Sequence, residues 1–287
     1  MSGELLDLWL EHLHGGDVGL RLRLRGVVHS ECTPFQRLAV YDSPAFGKVL
    51  DLGGEIVLTD ADGAIYAEAL AHPAMQAHAS VEHACIIGGG DGGVARELAR
   101  YPQLRSLQVV EIDQRVVDVC REHFPTLAQG LDDPRVELVI DDGHRYISNL
   151  ADEQRFDLIV IDAAHLYDPA SETVHAHNFV EILNNHLTPQ GVLVCPLGSP
   201  FHDGETCRRA LSELSAVFAA VHPYTVGIPS LPGGSMAFAW AAHSGDPRQL
   251  HDHQVPWLDE LTLWEPGLTE RLFTLPKPLR RALWGAV

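Results

Sequence analysis

A glycine-rich turn after an apolar run constrains the fold of this chain most. Residues 83–87 read HACII, residues 88–93 read GGGDGG, and the helix-forming sequence VARE follows at 94–97. Such a strand, turn and helix let a ligand approach the backbone closely beside a helix N-terminus. The motif predicts a nucleotide or nucleoside site, although a glycine turn without a ligand is an alternative at this stage.

Apolar strands and helical segments alternate after about residue 61. Continuous apolar runs are typical of parallel strands that helices cover on both faces, so we predict an α/β fold. Two late strands would close the sheet as an antiparallel edge. The predicted strands are 83–88, 107–111, 136–140, 156–161, 191–195, 220–226 and 236–241, and the predicted helices are 64–76, 114–123, 178–186 and 207–218.

The first part of the chain has a different texture. Residues 19–58 alternate apolar and polar side chains and are interrupted by SP at 43–44 and GG at 53–54. This period of two predicts a small antiparallel β domain. We therefore predict two domains, residues 1–60 and residues 61–287. The tail after residue 243 is rich in proline and tryptophan, and we expect it to pack on the surface.

The formal net charge of −19, with only two lysines, limits the possible partners. Such a surface repels nucleic acid and anionic lipid and favours cationic substrates such as amines. The alternative interpretation is that the negative charge serves only to keep the protein soluble. No apolar run reaches the roughly 20 residues of a membrane span, and the N-terminus does not read as a signal peptide. We expect a cytoplasmic protein with a small-molecule acceptor, no nucleic acid or membrane partner, and no metal.

Acidic residues follow the predicted strands after the glycine turn. Glu111 lies about 20 residues beyond the turn, where an acid accepts hydrogen bonds from both ribose hydroxyls. Asp142 ends the next strand, where a carboxylate can accept from an adenine amino group, and Asp162 ends the fourth. Several anions around one pocket disfavour a pyrophosphate. They favour a positively charged nucleoside, such as a sulfonium of the S-adenosylmethionine type.

With these residues in place, the chain resembles the spermidine synthase (polyamine aminopropyltransferase) family over nearly its whole length. The matching stretches are 44–54, 65–68, 86–93, 110–113, 131–136, 141–143 and 228–234. The resemblance implies an N-terminal antiparallel β domain followed by a Rossmann-like sheet of the class I methyltransferase type. It also implies a homodimer or homotetramer.

The resemblance further implies roles for individual residues. The donor, S-adenosylmethionine or its decarboxylated form, would be held by Gln36, Gly88, Gly90, Asp91, Gly92, Glu111, Asp142, Gly143 and Asp162. The acceptor would lie near Phe35, Tyr66, Tyr167, Asp168 and Leu231. The residues expected in catalysis are Asp62, which stands where the family has an acid that meets the donor's ammonium group, Asp162 and His165.

The loop after Asp162 departs from the family pattern. The family reads Asp-Ser/Thr-Ser/Thr-Asp-Pro-x-Gly-Pro-Ala, whereas residues 162–170 here read DAAHLYDPA. His165 therefore replaces the aspartate that helps to deprotonate and orient the attacking amine. A histidine titrates near neutrality and can act as a base, or when protonated can pair with the carboxylate of intact S-adenosylmethionine. Asp168 is an alternative replacement for the missing acid.

These departures lead to three hypotheses. Our main prediction is methyl transfer from intact S-adenosylmethionine to a small acceptor less cationic than putrescine, with His165 as the base; transfer of the aminocarboxypropyl arm is also open. The first alternative is a polyamine aminopropyltransferase that uses the decarboxylated donor. The second is a non-catalytic nucleoside-binding protein. The acids expected to bind ribose and adenine are both present, which argues against this alternative.

Overall fold

A computed structural model describes residues 7–14, 18–163 and 176–285. The strands are β1 (Leu8–His14), β2 (Val18–Leu24), β3 (Gly26–Cys32), β4 (Arg37–Ser43), β5 (Gly47–Leu52), β6 (Glu55–Thr59), β7 (His83–Gly88), β8 (Ser106–Glu111), β9 (Val136–Ile140), β10 (Phe156–Asp162), β11 (Leu187–Gly198), β12 (Ala220–Gly227) and β13 (Ser235–Ala242). The helices are α1 (Gly63–Ala77), α2 (Gly93–Ala99), α3 (Gln114–His123), α4 (Pro125–Ala128), α5 (Gly143–Ser148), α6 (Ala176–Asn185), α7 (Gly204–Val217), α8 (Leu268–Leu272) and α9 (Lys277–Trp284). None of these helices has both the length and the apolar character that crossing a bilayer requires.

The first six strands form a hairpin, β1–β2, and an antiparallel sheet in the order β3-β4-β5-β6. Alternate side chains of this sheet face opposite ways, as a period of two requires. One face packs against the hairpin, and the other packs against α3 and α4. The second contact, named here the sheet–helix cluster, contains Leu38, Val40, Leu50, Leu58, Val116, Val119, Cys120, Phe124, Leu127 and Ala128.

This cluster joins the two predicted domains tightly, because its residues come from both. The antiparallel strands end at Thr59, the last residue of β6, and the α/β part of the fold begins at Gly63, the first residue of α1. The predicted division into residues 1–60 and 61–287 stays a prediction.

The central sheet has the order β12-β13-β11-β10-β7-β8-β9. Neighbouring strands from β9 to β11 are parallel, whereas β13 and β12 are antiparallel additions at one edge. Separate apolar clusters cover the two faces, so the inner strands are buried on both sides. The predicted α/β fold, a Rossmann-like sheet of the methyltransferase type behind an N-terminal β region, is confirmed.

The strand order places a crevice between β7 and β10. From β7 the chain runs outward through β8 to β9 and then returns to the other side of β7 with β10. Open α/β sheets bind ligands at the carboxyl ends of their strands, where the order reverses in this way. Gly88 and Asp162 are register partners at these two ends, so the glycine turn and the fourth strand's acid meet there.

The tail after residue 243 is mostly exposed, as predicted, but a few of its side chains are buried in the core. Trp264 is 2% exposed, and Leu275 and Leu283 are buried in or beside the core. The cause is Glu68 on α1, whose buried carboxylate accepts hydrogen bonds from the backbone nitrogens of residues 262, 263 and 264 at 2.8, 2.7 and 2.9 Å. These bonds hold an irregular segment against α1, so its apolar side chains can be buried.

Candidate active site

The glycine turn is shaped by two neighbouring strands. Gly88 has φ +89°, and a Cβ there would lie 2.1 Å from the carbonyl oxygen of Asp162, which leaves no space for any other residue. At Gly90 a Cβ would lie 2.8 Å from Glu111 Oε2. The structure thus brings together the turn, Glu111 and Asp162, which the sequence placed at three separate strand ends.

The Glu111 carboxylate is held in place by backbone N–H groups. Oε1 accepts from the nitrogen of Asp113 at 2.9 Å, and Oε2 accepts from the nitrogen of Gly90 at 3.1 Å. Burial raises the pKa of Glu111, while these two backbone bonds lower it. A carboxylate oxygen can accept two hydrogen bonds, so each oxygen retains capacity for a hydroxyl of a ribose.

The end of β9 supplies the pair predicted to meet adenine. Asp142 caps α5 by accepting from the nitrogen of Arg145 at 2.8 Å, while its neighbour Asp141 pairs with the Arg145 guanidinium, which lowers the pKa of Asp141. A Cβ on Gly143 would lie 2.3 Å from Ile87 Cγ2. Gly143, which follows Asp142, is therefore packed against β7, the strand that leads into the glycine turn.

Asp162 lies in an electrostatically unfavourable position for an unliganded carboxylate. Burial raises its pKa well above the ordinary value, the charges of Asp91 and Glu111 raise it further, and hydrogen bonding with the Tyr66 hydroxyl lowers it. Its Oδ2 atom is buried and has no hydrogen-bond partner among the described residues. Burial also raises the pKa of Asp91, which accepts from the nitrogen of Gly93 at 2.6 Å. A cation bound here would favour the ionised forms of both acids.

Asp62 is occupied by contacts that the sequence did not indicate. It is 3% exposed; Oδ1 accepts from Thr59 Oγ1 at 2.6 Å and from Ser230 Oγ at 2.9 Å, and Oδ2 accepts from the Ser230 nitrogen at 2.7 Å. These bonds anchor the 228–234 loop beside the start of α1. Leu231, in that loop, is partly buried against the core, as is Tyr66. The predicted contact of Asp62 with the donor stays a prediction.

The turn between β3 and β4 contains Phe35 and Gln36. Phe35 is 54% exposed and Gln36 is partly buried. The turn is fixed to the carboxyl end of β8 by a hydrogen bond from Thr33 Oγ1 to Asp113 Oδ2 at 2.7 Å. Sequence reasoning missed this bond and the Asp62–Ser230 bonds. The only sequence signals were that Thr33 and Asp113 lie close to predicted site residues.

Three predicted residues, His165, Tyr167 and Asp168, lie outside the described residues, so their roles stay predictions. Within residues 7–14, 18–163 and 176–285 there is no group of three or more histidine, cysteine or acidic side chains placed to hold a metal ion. The described part of the site is a glycine turn with the carboxylates of Asp91, Glu111 and Asp162 around it.

Comparison with known proteins agrees with this geometry. Residues 63–249 match the family described as "Spermine/spermidine synthase domain", and residues 8–60 match "Spermidine synthase tetramerisation domain". A polyamine aminopropyltransferase of Streptococcus pneumoniae is 36% identical over 253 residues, which cover 87% of each chain. Another, of Moorella thermoacetica, is 34% identical over 269 residues, which cover 94% of each chain.

Solved structures resemble the whole fold. The spermidine synthase of Thermotoga maritima superposes with a TM-score of 0.87 at 27% identity, covering 99% of this chain and 97% of that chain. A spermidine synthase in complex with the transition state analogue AdoDATO gives a TM-score of 0.86 at 27% identity, with the same coverage. Both parts of the sequence and the full fold agree, and the chain therefore belongs to the spermidine synthase family.

Proposed function

We propose that this protein is a polyamine aminopropyltransferase that transfers a 3-aminopropyl group from decarboxylated S-adenosylmethionine to an aliphatic amine. The observation that carries the proposal is the convergence of Asp91, Glu111 and Asp162 beside the glycine turn, with two of these acids raising the pKa of the third. Such a site gains most from a ligand with positive charge at both its sulfonium and its amine. The names of the relatives support the same activity.

Intact S-adenosylmethionine has a net charge of about +1, because its carboxylate offsets its ammonium group, whereas the decarboxylated form has a net charge of about +2. The acidic crevice therefore attracts the decarboxylated form more strongly. Our main prediction of methyl transfer from the intact donor therefore gains no support, and the aminopropyltransferase alternative is the better supported of the two.

The proposed reaction is a displacement at the propyl carbon bonded to sulfur. A neutral nitrogen of the acceptor forms the new C–N bond, the C–S bond breaks, and its electron pair remains on sulfur in neutral methylthioadenosine. The nitrogen then carries an extra proton, which a base must accept. His165 is the base predicted from the sequence. Asp162, three residues earlier in the chain, lies at the crevice between β7 and β10. Positioning of the two reactants supplies much of the rate enhancement in such a step.

A paired binding and product assay tests the proposal. Calorimetric titration should show decarboxylated S-adenosylmethionine binding at least tenfold more tightly than the intact form. Incubation with putrescine and with longer and more apolar amines should give methylthioadenosine and an aminopropylated amine by mass spectrometry. Methylated product, or tight binding of the intact donor alone, would overturn the proposal. Nucleoside binding without any product from these amines would instead favour the non-catalytic alternative.

We further propose that the chain assembles as a homo-oligomer through its N-terminal strands, which match the tetramerisation domain. Large apolar side chains are exposed there, namely Leu8, Trp9, Leu13, Val18, Val27 and Val28. Light scattering after size exclusion should give two or four times the 31.4 kDa chain mass. Val27→Asp should shift this mass toward the monomer, and a monomeric wild type would refute the assembly.

A further inference from the structure

The hydroxyl of Thr33 is the centre of the turn that carries Gln36. Its single proton is donated to Asp113 Oδ2 at 2.7 Å, a shorter contact than the 3.2 Å to the carbonyl oxygen of Gln36. The same oxygen accepts from the backbone nitrogens of Phe35 and Gln36, each at 3.1 Å. One side chain therefore both shapes the turn and attaches it to another part of the molecule.

Asp113 continues the connection into the nucleoside site. Its Oδ1 atom caps α3 by accepting from the nitrogen of Arg115 at 3.0 Å, and its own nitrogen donates to Glu111 Oε1. Glu111 in turn accepts from Gly90 in the glycine turn. The bond with Thr33 is charge-assisted because its acceptor is a carboxylate, and Asp113 itself is buried. An unbroken series of hydrogen bonds thus runs from the glycine turn through the predicted ribose acid to the turn of residues 33–36.

We propose that Thr33, acting through Asp113, is a positioning residue for the nucleoside site. Its hydrogen bond fixes the turn of residues 33–36 against the ribose end of the crevice and thereby holds Gln36 in place for the donor. The inference rests on the proposed function and on the role in donor binding that the family resemblance implies for Gln36. The N-terminal sheet would then have a role in donor binding in addition to its proposed role in assembly, because its β3–β4 turn borders a site at the edge of the central sheet.

The rest of the sheet is docked independently of Thr33. The sheet–helix cluster buries its inner face against α3 and α4. At its margin Lys48 Nζ donates to the carbonyl oxygen of His123 at 2.8 Å, and Arg115 pairs with Glu31 at 3.0 Å. Loss of the Thr33 hydroxyl should therefore loosen the turn without separating the sheet from the helices. This separates a positioning role from a general structural one.

The test measures methylthioadenosine affinity by calorimetry in full-length variants. Thr33→Val keeps the shape and removes the hydroxyl, Thr33→Ser keeps the hydroxyl, and Ser30→Ala on the exposed side of β3 is the matched control. Loss of a charge-assisted hydrogen bond predicts affinity about 10- to 100-fold weaker for Thr33→Val. We expect Thr33→Ser to stay within about threefold and Ser30→Ala to match the wild type, with an unchanged melting temperature for the control.

A double-mutant cycle with Gln36→Ala shows whether Thr33 acts through Gln36. If it does, adding Thr33→Val to Gln36→Ala should weaken binding no further. Multiplicative losses, or wild-type affinity in Thr33→Val, would overturn the inference while leaving the proposed function intact. No methylthioadenosine binding by the wild type would instead overturn the proposed function and this inference with it.

Discussion

Glu68→Gln is expected to release the C-terminal tail from α1. The wild-type carboxylate is 1% exposed, with Oε1 accepting from the nitrogen of residue 262 and Oε2 accepting from the nitrogens of residues 263 and 264. In the variant, one oxygen becomes an NH₂ group that faces a backbone N–H. One N–H is then unpaired, at a cost of about 1–3 kcal/mol, and the other two bonds each lose about 1 kcal/mol of charge assistance.

These effects together predict that the free energy of unfolding falls by about 3–5 kcal/mol, a large part of the 5–15 kcal/mol typical of a domain. Urea denaturation followed by tryptophan fluorescence measures this change, because Trp264 lies in the affected segment. Hydrogen exchange of the amides at 262–264 reports whether the tail also opens locally. Protein concentration must be constant, since assembly contributes to apparent stability.

Glu153→Gln is the matched control, because Glu153 is exposed in a turn and the same chemical change there should alter stability by less than about 0.5 kcal/mol. A loss below about 1 kcal/mol in Glu68→Gln, with exchange at 262–264 unchanged, would refute the reasoning. It would mean that the three hydrogen bonds to Glu68 stabilise the folded protein no more than hydrogen bonds from water to the same groups would.

Other predictions concern the core, the loop and the charge of the site. Leu38→Ala, at a fully buried position of the sheet–helix cluster, should lower the free energy of unfolding in urea by about 2–5 kcal/mol. Asp62→Asn should speed hydrogen exchange at Ser230, because Asp62 accepts hydrogen bonds from both the nitrogen and the hydroxyl of Ser230; a fall in donor affinity of more than about twofold would support the contact of Asp62 with the donor that the resemblance implies, and an unchanged affinity would contradict it. Asp162 has a raised pKa in the free protein and is ionised beside a cation, so calorimetry in buffers of different ionisation enthalpy should detect proton release on binding of decarboxylated S-adenosylmethionine. Affinity should rise with pH until that raised pKa is passed, whereas neutral methylthioadenosine should show a much smaller effect.

Secondary structure with a clear local pattern was predictable from the sequence. The predicted strands 83–88 and 136–140 and the helix 114–123 have the same bounds in the structure. The strand predicted at 191–195 extends instead from Leu187 to Gly198. The Thr-Pro-Gln-Gly sequence at its start reads locally as a turn, but Phe156 pairs with Leu187 across a register shift in β10, and this pairing extends the strand. Pairing with a distant strand overrides local preference in such cases.

Part of the candidate site was likewise predictable from local sequence, and part was not. The glycine turn and the acids at the strand ends were predictable, because a glycine requirement and the end of an apolar run are local properties. The roles of Asp62, Glu68 and Thr33 were not, since each depends on a partner that is 80 or more residues away in the chain. No local pattern reports such a contact.

By itself, the sequence determined the α/β fold, the family and the presence of acids at the carboxyl ends of the strands, because periodicity, glycine and strand-end acids are properties of a few neighbouring residues. Only the tertiary structure decided which carboxylates also anchor distant parts of the chain. Asp162 retains a buried oxygen with no partner among the described residues, whereas both oxygens of Asp62 accept hydrogen bonds from the protein. The physical reason is that a carboxylate's role is set by the donors around it, and folding brings those donors from distant parts of the chain.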